Sequence, residues 1–283
     1  MSVLCDLHTH STFSDGTDTP EQLLSKAEQA GLGAVALTDH NTVKGLPDFL
    51  KAAQGKKVRA IAGTELSSDY NGIELHILGL FLQPEQFDTV TEKMEDFHRR
   101  KEQSNLDLVE RLNKAGYSLN YASIKAATPE GQVNRALIAA ELLRLGYVES
   151  IKDAFKRLLK PECGYYTPPY RPSPEETVRF LKSIGAVAVL AHPLLNLDEG
   201  QLRQLLPGLK EAGLDAMETI YATYTPEETA IAKQIAEDFG LLESGGSDYH
   251  GNNKPHIQIG VGQGSLAVPQ GLMTALEERQ QKK

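Results

Sequence analysis

The sequence predicts an α/β barrel that carries an inserted helical segment. Short runs rich in β-branched residues alternate with amphipathic helical patterns, and this alternation is typical of strand and helix units that form a parallel sheet. About seven such units can be traced, which favours a barrel. A predominantly helical stretch interrupts the alternation near Glu85. The 283 residues accommodate both parts, because barrels of this class run to about 250 residues or more.

The first stretch of alternation runs from Val3 to Leu82. Thr19 followed by Pro20 is typical of a helix start, since threonine caps free amide groups and proline fits the first turn. The segment Asp69-Tyr70-Asn71-Gly72 is typical of a turn. The predicted strands are Val3–His8, Ala34–Thr38, Val58–Gly63 and Leu75–Leu82, and the predicted helices are Pro20–Ala30 and Lys44–Ala53.

The helical stretch separates this part of the barrel from the remainder. We predict helices at Gln86–Ala115, Ala122–Ala127, Asn134–Leu145 and Ile151–Leu159. Residues 85–164 are therefore assigned to a helical insertion subdomain, and residues 1–84 and 165–283 to the barrel domain. After the Pro-rich connection Thr167–Pro174 the predicted elements are the helices Pro174–Ile184, Glu199–Ala212 and Pro226–Phe239, the strands Ala186–Ala191, Leu214–Thr219 and Leu241–Ser244, and a last helix near the carboxyl end.

Composition excludes several classes of function. The net charge is −9, with 29 basic and 38 acidic residues, so a broad basic surface for duplex DNA is not expected. No apolar stretch approaches the roughly 20 residues that cross a bilayer. The amino terminus lacks the features of a secretory signal, and two cysteines are too few for a disulfide framework. We expect a cytoplasmic protein with no membrane partner, whose small anionic substrate is attracted by bound cations.

The histidines carry the strongest functional signal. Six of the eight stand at the carboxyl ends of predicted strands, where parallel barrels place their active sites. His8 and His10 are two residues apart, so both side chains point to the same side of an extended chain. Carboxylates recur at the same positions. The nine candidate metal ligands are His8, His10, Asp15, His40, Glu65, His76, His192, Asp248 and His250.

Nitrogen and carboxylate ligands in this mixture suit zinc, manganese or iron better than calcium, which prefers oxygen alone. Any one of these residues has a simpler interpretation, because a lone His or Asp at a strand end more often caps a turn or is a satisfied polar group. Nine of them at one end of successive strands, in a chain with only two other histidines, favour a metal centre.

The order of these residues resembles the motifs of the polymerase and histidinol phosphatase (PHP) superfamily of metallophosphoesterases, over essentially the whole chain. The matching segments are Asp6-Leu7-His8-Thr9-His10-Ser11-Thr12-Phe13-Ser14-Asp15-Gly16, Leu37-Thr38-Asp39-His40-Asn41, Gly63-Thr64-Glu65, His76-Ile77-Leu78-Gly79, Ala191-His192-Pro193 and Gly246-Ser247-Asp248-Tyr249-His250. The resemblance implies a distorted (β/α)₇ barrel with two or three divalent ions. It implies one ion held by His8, His10, Glu65 and Asp248, a second by Glu65, His76 and His192, and a third by Asp15, His40 and His250.

Other residues are candidates for supporting roles. Asp6 and Asp39 are predicted either to orient imidazoles or to cap turns. Glu218 stands where the family shows a strand-end Glu, which predicts contact with substrate or with a metal ligand. Arg135 and Arg171 are candidate substrate-binding residues, because the planar guanidinium suits phosphate.

One segment departs from the family pattern. Where the family resembles Gly-Arg-Pro-His-Ile-Ala, this chain has Asn134-Arg135-Ala136-Leu137-Ile138-Ala139. The Arg is kept, whereas Leu137 replaces the His. Leu137 either removes a contact with the phosphate or leaving group, or faces the core of the helical segment.

The predicted reaction is hydrolysis of a phosphate ester by a water that bridges two ions and attacks phosphorus in line, with Glu65 and Asp248 holding ions and Arg135 neutralising phosphoryl oxygens. The layout resembles the branch of the superfamily that acts on nucleoside 3′,5′-bisphosphates or the 5′ ends of short RNA. The alternatives are a histidinol-phosphate phosphatase and a non-catalytic module that binds metal or nucleotide.

Overall fold

A computed structural model of the protein describes residues 3–126 and 133–282. The chain divides into two units. Unit 1 comprises Met1–Thr91 and Pro172–Lys283, and unit 2 comprises Glu92–Arg171. Ala127, the last residue of one predicted helix, lies outside the described residues. In chain order the helices are α1 (Pro20–Gln29), α2 (Leu46–Ala52), α3 (Phe87–Lys114), α4 (Tyr121–Ala126), α5 (Arg135–Arg144), α6 (Ile151–Ala154), α7 (Pro174–Ser183), α8 (Glu199–Ala212), α9 (Pro226–Asp238) and α10 (Gln270–Gln281).

Within the described residues of unit 1, eight strands form one sheet in the order β7-β6-β5-β4-β3-β2-β1-β8. The ends of the sheet approach each other, since Leu7 N donates to Gly245 O over 3.2 Å and Thr9 bridges Tyr249. The predicted distorted α/β barrel is therefore confirmed. The strands are β1 (Leu4–Asp6), β2 (Ala34–Leu37), β3 (Arg59–Tyr70), β4 (Ile73–Leu80), β5 (Val187–Leu190), β6 (Ala216–Tyr221), β7 (Leu242–Gly246) and β8 (Val268–Pro269).

The prediction of a parallel sheet is wrong for one predicted strand, β4, and the sheet also contains an antiparallel strand, β8, that was not predicted. β4 runs antiparallel to both β3 and β5, and β8 runs antiparallel to β1. The cause at β4 is the connection Asn71-Gly72, whose φ angles of 54° and 85° are those of a tight hairpin turn. A two-residue turn leaves no room for a crossover helix. Because β3 continues to Tyr70, Glu65 lies inside a strand and not at its carboxyl end. His76 likewise lies inside β4 and not at a carboxyl end.

Alternating apolar residues fill the barrel. Val187 and Val189 project to the same side of β5 and, with Ala191 just after the strand, join one buried cluster that also contains Met273 and Leu276 of α10. Local signals define the helix starts. Thr19 accepts from Gln22 N with Pro20 in the first turn, as predicted. The apolar interior supports the strands from which the functional loops emerge.

Unit 2 has an apolar core of its own. Leu108 and Leu112 of α3 pack with Ile138 and Leu142 of α5 and with Leu158 in one buried cluster. The spacing of four residues in each pair places the apolar side chains on one face of each helix. None of the described helices is long and apolar enough to cross a membrane.

Candidate metal centre

The nine candidate ligands converge at one end of the barrel in unit 1. Strand geometry brings them together, because the carboxyl ends of β1, β2, β5 and β7 meet there and the hairpin adds residues from β3 and β4. His8 and His10 follow β1, Asp15 lies in the next loop, His40 follows β2, Glu65 and His76 lie in β3 and β4, His192 follows β5, and Asp248 and His250 follow β7.

Glu65 is the centre of this cluster, and its side chain is 0% exposed. Its two oxygens face different imidazoles. Such a partition is what a carboxylate that bridges two cations requires. Oε2 lies 3.3 Å from His8 Nε2, 3.2 Å from His10 Nε2 and 3.0 Å from His40 Nδ1, and Oε1 lies 2.9 Å from His76 Nδ1 and 3.2 Å from His192 Nε2.

Two aspartates extend the cluster. Asp248 Oδ1 lies 3.2 Å from His10 Nε2 and 3.4 Å from His250 Nδ1. Asp15 Oδ1 lies 3.2 Å from His250 Nε2, and Asp15 Oδ2 lies 3.9 Å from His40 Nε2. The aspartates thus place carboxylate oxygens within 3.9 Å of ring nitrogens of His10, His40 and His250.

The described residues contain three groups of candidate ligands, and within each group the ligand atoms lie within 4.8 Å of one another. The group with Asp15 shares His10 with the group that contains His8. It shares His40 with the group that contains His76, and the groups of His8 and His76 share Glu65. This distribution differs from the ligand sets implied by the family resemblance, since His10 and His40 each take part in two groups. The groups are His10, Asp15, His40 and His250; then His8, His10 and Glu65; then His40, Glu65 and His76.

Several buried polar atoms at the centre have no hydrogen-bond partner among the described residues. They are His8 Nε2, both ring nitrogens of His10, Glu65 Oε2 and His76 Nδ1. A buried polar atom without a partner costs about 1–3 kcal/mol. Divalent cations would satisfy these atoms, and the donor chemistry fits manganese, iron or zinc.

Charges in the centre shift the pKa values of its members. Burial by itself would raise the pKa of Glu65, but the imidazoles of His40 and His76 lower it well below its usual range. Burial would lower the pKa of His76, whereas Glu65 raises it to about 10. Burial likewise opposes protonation of His8, yet Glu218 and Glu65 raise its pKa well above the ordinary value. Protons and cations therefore compete for these imidazoles.

Glu218 orients two of the candidate ligands. Its Oε1 lies 3.0 Å from His8 Nδ1, and its Oε2 accepts from His192 N over 2.7 Å. His192 has a φ of 28°, a strained conformation for a histidine that this contact helps to hold. Glu218 is 0% exposed with both oxygens engaged. The geometry therefore favours its role toward a metal ligand and not the predicted contact with substrate.

Asp6 and Asp39, each close in sequence to a candidate ligand, accept hydrogen bonds from residues of neighbouring loops. Asp6 accepts from the backbone nitrogens of Ser247 and Gly260, at 2.9 and 2.8 Å. Asp39 accepts from both the backbone nitrogen and the hydroxyl of Ser11, at 2.7 Å each. Of the two predicted roles, these contacts correspond to the capping of turns.

Sequence reasoning missed two residues that contact Asp248. The Tyr221 hydroxyl donates to Asp248 Oδ2 over 2.7 Å, and Lys254 Nζ lies 2.6 Å from the same oxygen. Strict alternation would point Tyr221 away from Glu218, but an irregularity in β6 between Glu218 and Ile220 changes the register. Lys254 lies in a loop, where no periodicity signals a role.

The candidate residues of unit 2 have their own surroundings. Arg135 begins α5, donates to Leu159 O over 3.1 Å and lies 4.3 Å from the ring centre of Tyr166. Leu137 is partly buried against the apolar core of unit 2. Of the two predicted roles of this residue, the contact corresponds to packing in the core of the helical segment. Arg171 is the last residue of unit 2 and is partly exposed.

The chain belongs to the PHP family, because the model of the PHP domain matches residues 6–162, more than half of the 283. The relatives that match most of its length are named for cleavage of phosphate esters, and the chain is a metal-dependent phosphoric ester hydrolase. The 5′-3′ exoribonuclease of Haemophilus influenzae is 31% identical over 255 residues, which cover 88% of this chain and 91% of the relative. The 3′,5′-nucleoside bisphosphate phosphatase of Chromobacterium violaceum is 26% identical over 265 residues, which cover 90% of each protein.

A third relative acts on a different ester. The phosphoribosyl 1,2-cyclic phosphate 1,2-diphosphodiesterase of Eggerthella lenta is 31% identical over 273 residues, covering 90% of this chain and 98% of the relative. Among solved structures, a candidate metal-dependent phosphoesterase from Bifidobacterium adolescentis has a TM-score of 0.71 and 27% identity, with coverage of 97% of this chain and 96% of that chain.

Proposed function

We propose that the protein hydrolyses phosphate monoesters of nucleotides, such as nucleoside 3′,5′-bisphosphates or short 5′-phosphorylated oligoribonucleotides, with two or three divalent cations at the candidate metal centre. The observation that carries the proposal is the buried Glu65, whose two oxygens face separate sets of imidazole nitrogens. The relatives named for nucleoside bisphosphates and for RNA support the nucleotide class.

Each group of residues has a distinct task in this proposal. Glu65 would be shared by two cations, one held also by His8, His10 and Asp248 and the other by His76 and His192. Asp15, His40 and His250 would hold a third cation. His10 and His40 each lie close enough to two groups of ligand atoms to contact either of two cations. When bound, the cations polarise the phosphoryl oxygens and lower the pKa of water.

Unit 1 has space for a nucleotide beside this centre. A cavity of about 430 Å³ is lined by His40, Asn41, Ser67, Glu74, His76 and Asn196. Its wall is polar, which suits a ribose and a base edge better than an apolar ligand. Arg135 and Arg171 are proposed to hold phosphate oxygens, because guanidinium pairs with phosphate through two parallel hydrogen bonds.

Steady-state kinetics on a panel of substrates tests the proposal. Protein loaded with manganese, iron or zinc should cleave adenosine 3′,5′-bisphosphate and a short 5′-phosphorylated RNA with higher kcat/KM than histidinol phosphate. Chelation should abolish turnover, and His40→Ala should lose metal by elemental analysis together with turnover. Preference for histidinol phosphate would replace the nucleotide proposal by the alternative phosphatase. A metal-loaded protein with no turnover on any ester would favour the non-catalytic module.

A further inference from the structure

The two oxygens of Asp248 have different surroundings. Oδ1 faces the imidazoles, at 3.6 Å from His8 Nε2 and 3.2 Å from His10 Nε2. Oδ2 faces away from them and accepts from the Tyr221 hydroxyl and the Lys254 ammonium, at 2.7 and 2.6 Å. One oxygen is therefore available to a cation while the other is occupied by protein donors.

The backbone also limits the freedom of Asp248. Its φ is 53°, which is uncommon for a residue other than glycine. Its amide donates to His8 O over 2.8 Å, which ties the loop after β7 to the loop after β1. With the main chain held in this way, the side-chain rotamer is determined mainly by the two donors on Oδ2.

A second trio of the same chemistry occurs in unit 1. Lys26 Nζ and the Tyr249 hydroxyl both donate to Asp18 Oδ2, at 2.6 Å each. Asp18 belongs to none of the close groups of candidate ligands in the described residues. A trio of Lys, Tyr and Asp can thus serve to join loops, and only the trio around Asp248 presents its second oxygen to imidazoles.

We propose that Tyr221 and Lys254 are positioning residues that hold Oδ2 of Asp248 and so confine this aspartate to one-oxygen binding of a cation. The inference rests on the proposed metal centre. A carboxylate without such donors can turn and bind a cation through both oxygens, as is common around large cations. Partners of ligands commonly change metal affinity by 10- to 100-fold when they are lost.

The two residues should not contribute equally. Tyr221 is 7% exposed, so its hydroxyl cannot readily be replaced by water. The Lys254 side chain is 37% exposed, and its positive charge also repels a cation near Asp248. Loss of Lys254 removes a hydrogen bond and a repulsion together. Tyr221 is therefore the stronger determinant.

The test compares the two trios in the full-length protein. Tyr221→Phe and Lys254→Met are matched by Tyr249→Phe and Lys26→Met, which remove the same groups from Asp18. Protein stripped of metal is titrated with Mn²⁺ against a fluorescent chelator. We expect Tyr221→Phe to weaken Mn²⁺ binding about 10- to 100-fold, Lys254→Met to weaken it less, and the two controls to leave it unchanged.

A spectroscopic readout separates positioning from a general loss of stability. The visible absorption of bound Co²⁺ weakens when its coordination number rises, so Tyr221→Phe and Lys254→Met combined should lower the absorption per bound Co²⁺. An unchanged spectrum and unchanged Mn²⁺ affinity in these variants, with metal bound by the parent protein, would overturn this inference alone. Equal effects of the Asp18 variants would also overturn it. A parent protein that binds neither ion would overturn the proposed function as well.

Discussion

Two carboxylates buried in the same unit have opposite surroundings. Asp215, which precedes β6, is 3% exposed. It accepts from Ala188 N over 3.0 Å and pairs with Lys182 and, over 3.1 Å, with Arg279. Glu65 is 0% exposed and is surrounded by imidazoles. Its Oε2 has no hydrogen-bond partner among the described residues.

The difference separates a structural site from a binding site. Lys182 and Arg279 are basic side chains that pair with Asp215, so its negative charge is compensated by the protein itself. Imidazoles compensate the charge of Glu65 only while they are protonated, and its Oε2 receives no hydrogen bond from the described residues. A buried charge with incomplete partners is costly. Its retention is explained when bound cations complete the site.

The largest expected effect comes from removing the charge of Glu65. Glu65→Gln keeps the size of the side chain but cannot bridge two cations. We expect kcat/KM on adenosine 3′,5′-bisphosphate to fall on the order of 10³-fold, which corresponds to about 4 kcal/mol of transition-state stabilisation. Metal content should fall by elemental analysis. Full metal content with normal turnover would contradict the bridging role.

The complementary substitution is Asp215→Ala, which should affect stability and not catalysis. It leaves Ala188 N without its acceptor and Lys182, whose side chain is 17% exposed, without its carboxylate. We expect the free energy of unfolding to fall by about 3 kcal/mol, near the lower end for a broken buried pair because Arg279 is 57% exposed. Denaturant melts measure the free energy of unfolding, steady-state kinetics measure turnover, and elemental analysis measures the metal content, which should not change.

The matched control for Asp215 is Asp238→Ala. Asp238 pairs with Arg203 at the surface, with a side chain 39% exposed, and its loss should lower the free energy of unfolding much less than the loss of Asp215 does. If Asp215→Ala released metal to the same degree as Glu65→Gln, the two carboxylates would belong to one coupled network and the comparison would fail.

The smallest expected effect concerns a cation held by aromatic rings. Arg135 lies over the rings of Tyr166 and Phe155, a contact that leaves its charge available to an anion. We expect Arg135→Ala to lower kcat/KM about tenfold with no change in metal content. The control is Arg144→Ala on the same helix, where the side chain is 66% exposed and pairs with Glu141. A near-normal Arg135→Ala enzyme would indicate that substrate phosphate is held elsewhere.

Local patterns account for what was predicted well. Thr19 and Pro20 specify a helix start through their own hydrogen bonding and ring geometry, and the short apolar run of β5 specifies a buried strand. The spacing of His8 and His10 places both side chains on one side of the chain. In the structure, Nε2 of each ring lies close to Glu65 Oε2, at 3.3 and 3.2 Å. These features depend on neighbours within a few residues.

Nonlocal pairing accounts for what was wrong or missed. β4 is antiparallel because it forms a hairpin with β3. β3 continues to Tyr70, whereas the predicted strand ends at Gly63. Tyr221 faces the centre because of an irregularity in β6. Lys254 reaches Asp248 from a loop, and no regular spacing describes such a contact.

The sequence by itself determined the order of the elements, the α/β barrel class and the donor types available at its carboxyl end, because periodicity and residue chemistry are properties of short segments. Only the tertiary structure decided which oxygen of Glu65 faces which imidazole, that Glu218 is turned toward His8, and that Tyr221 and Lys254 share one oxygen of Asp248. These relations join residues up to 210 positions apart. Their geometry results from strand pairing and loop conformation, which no local pattern specifies.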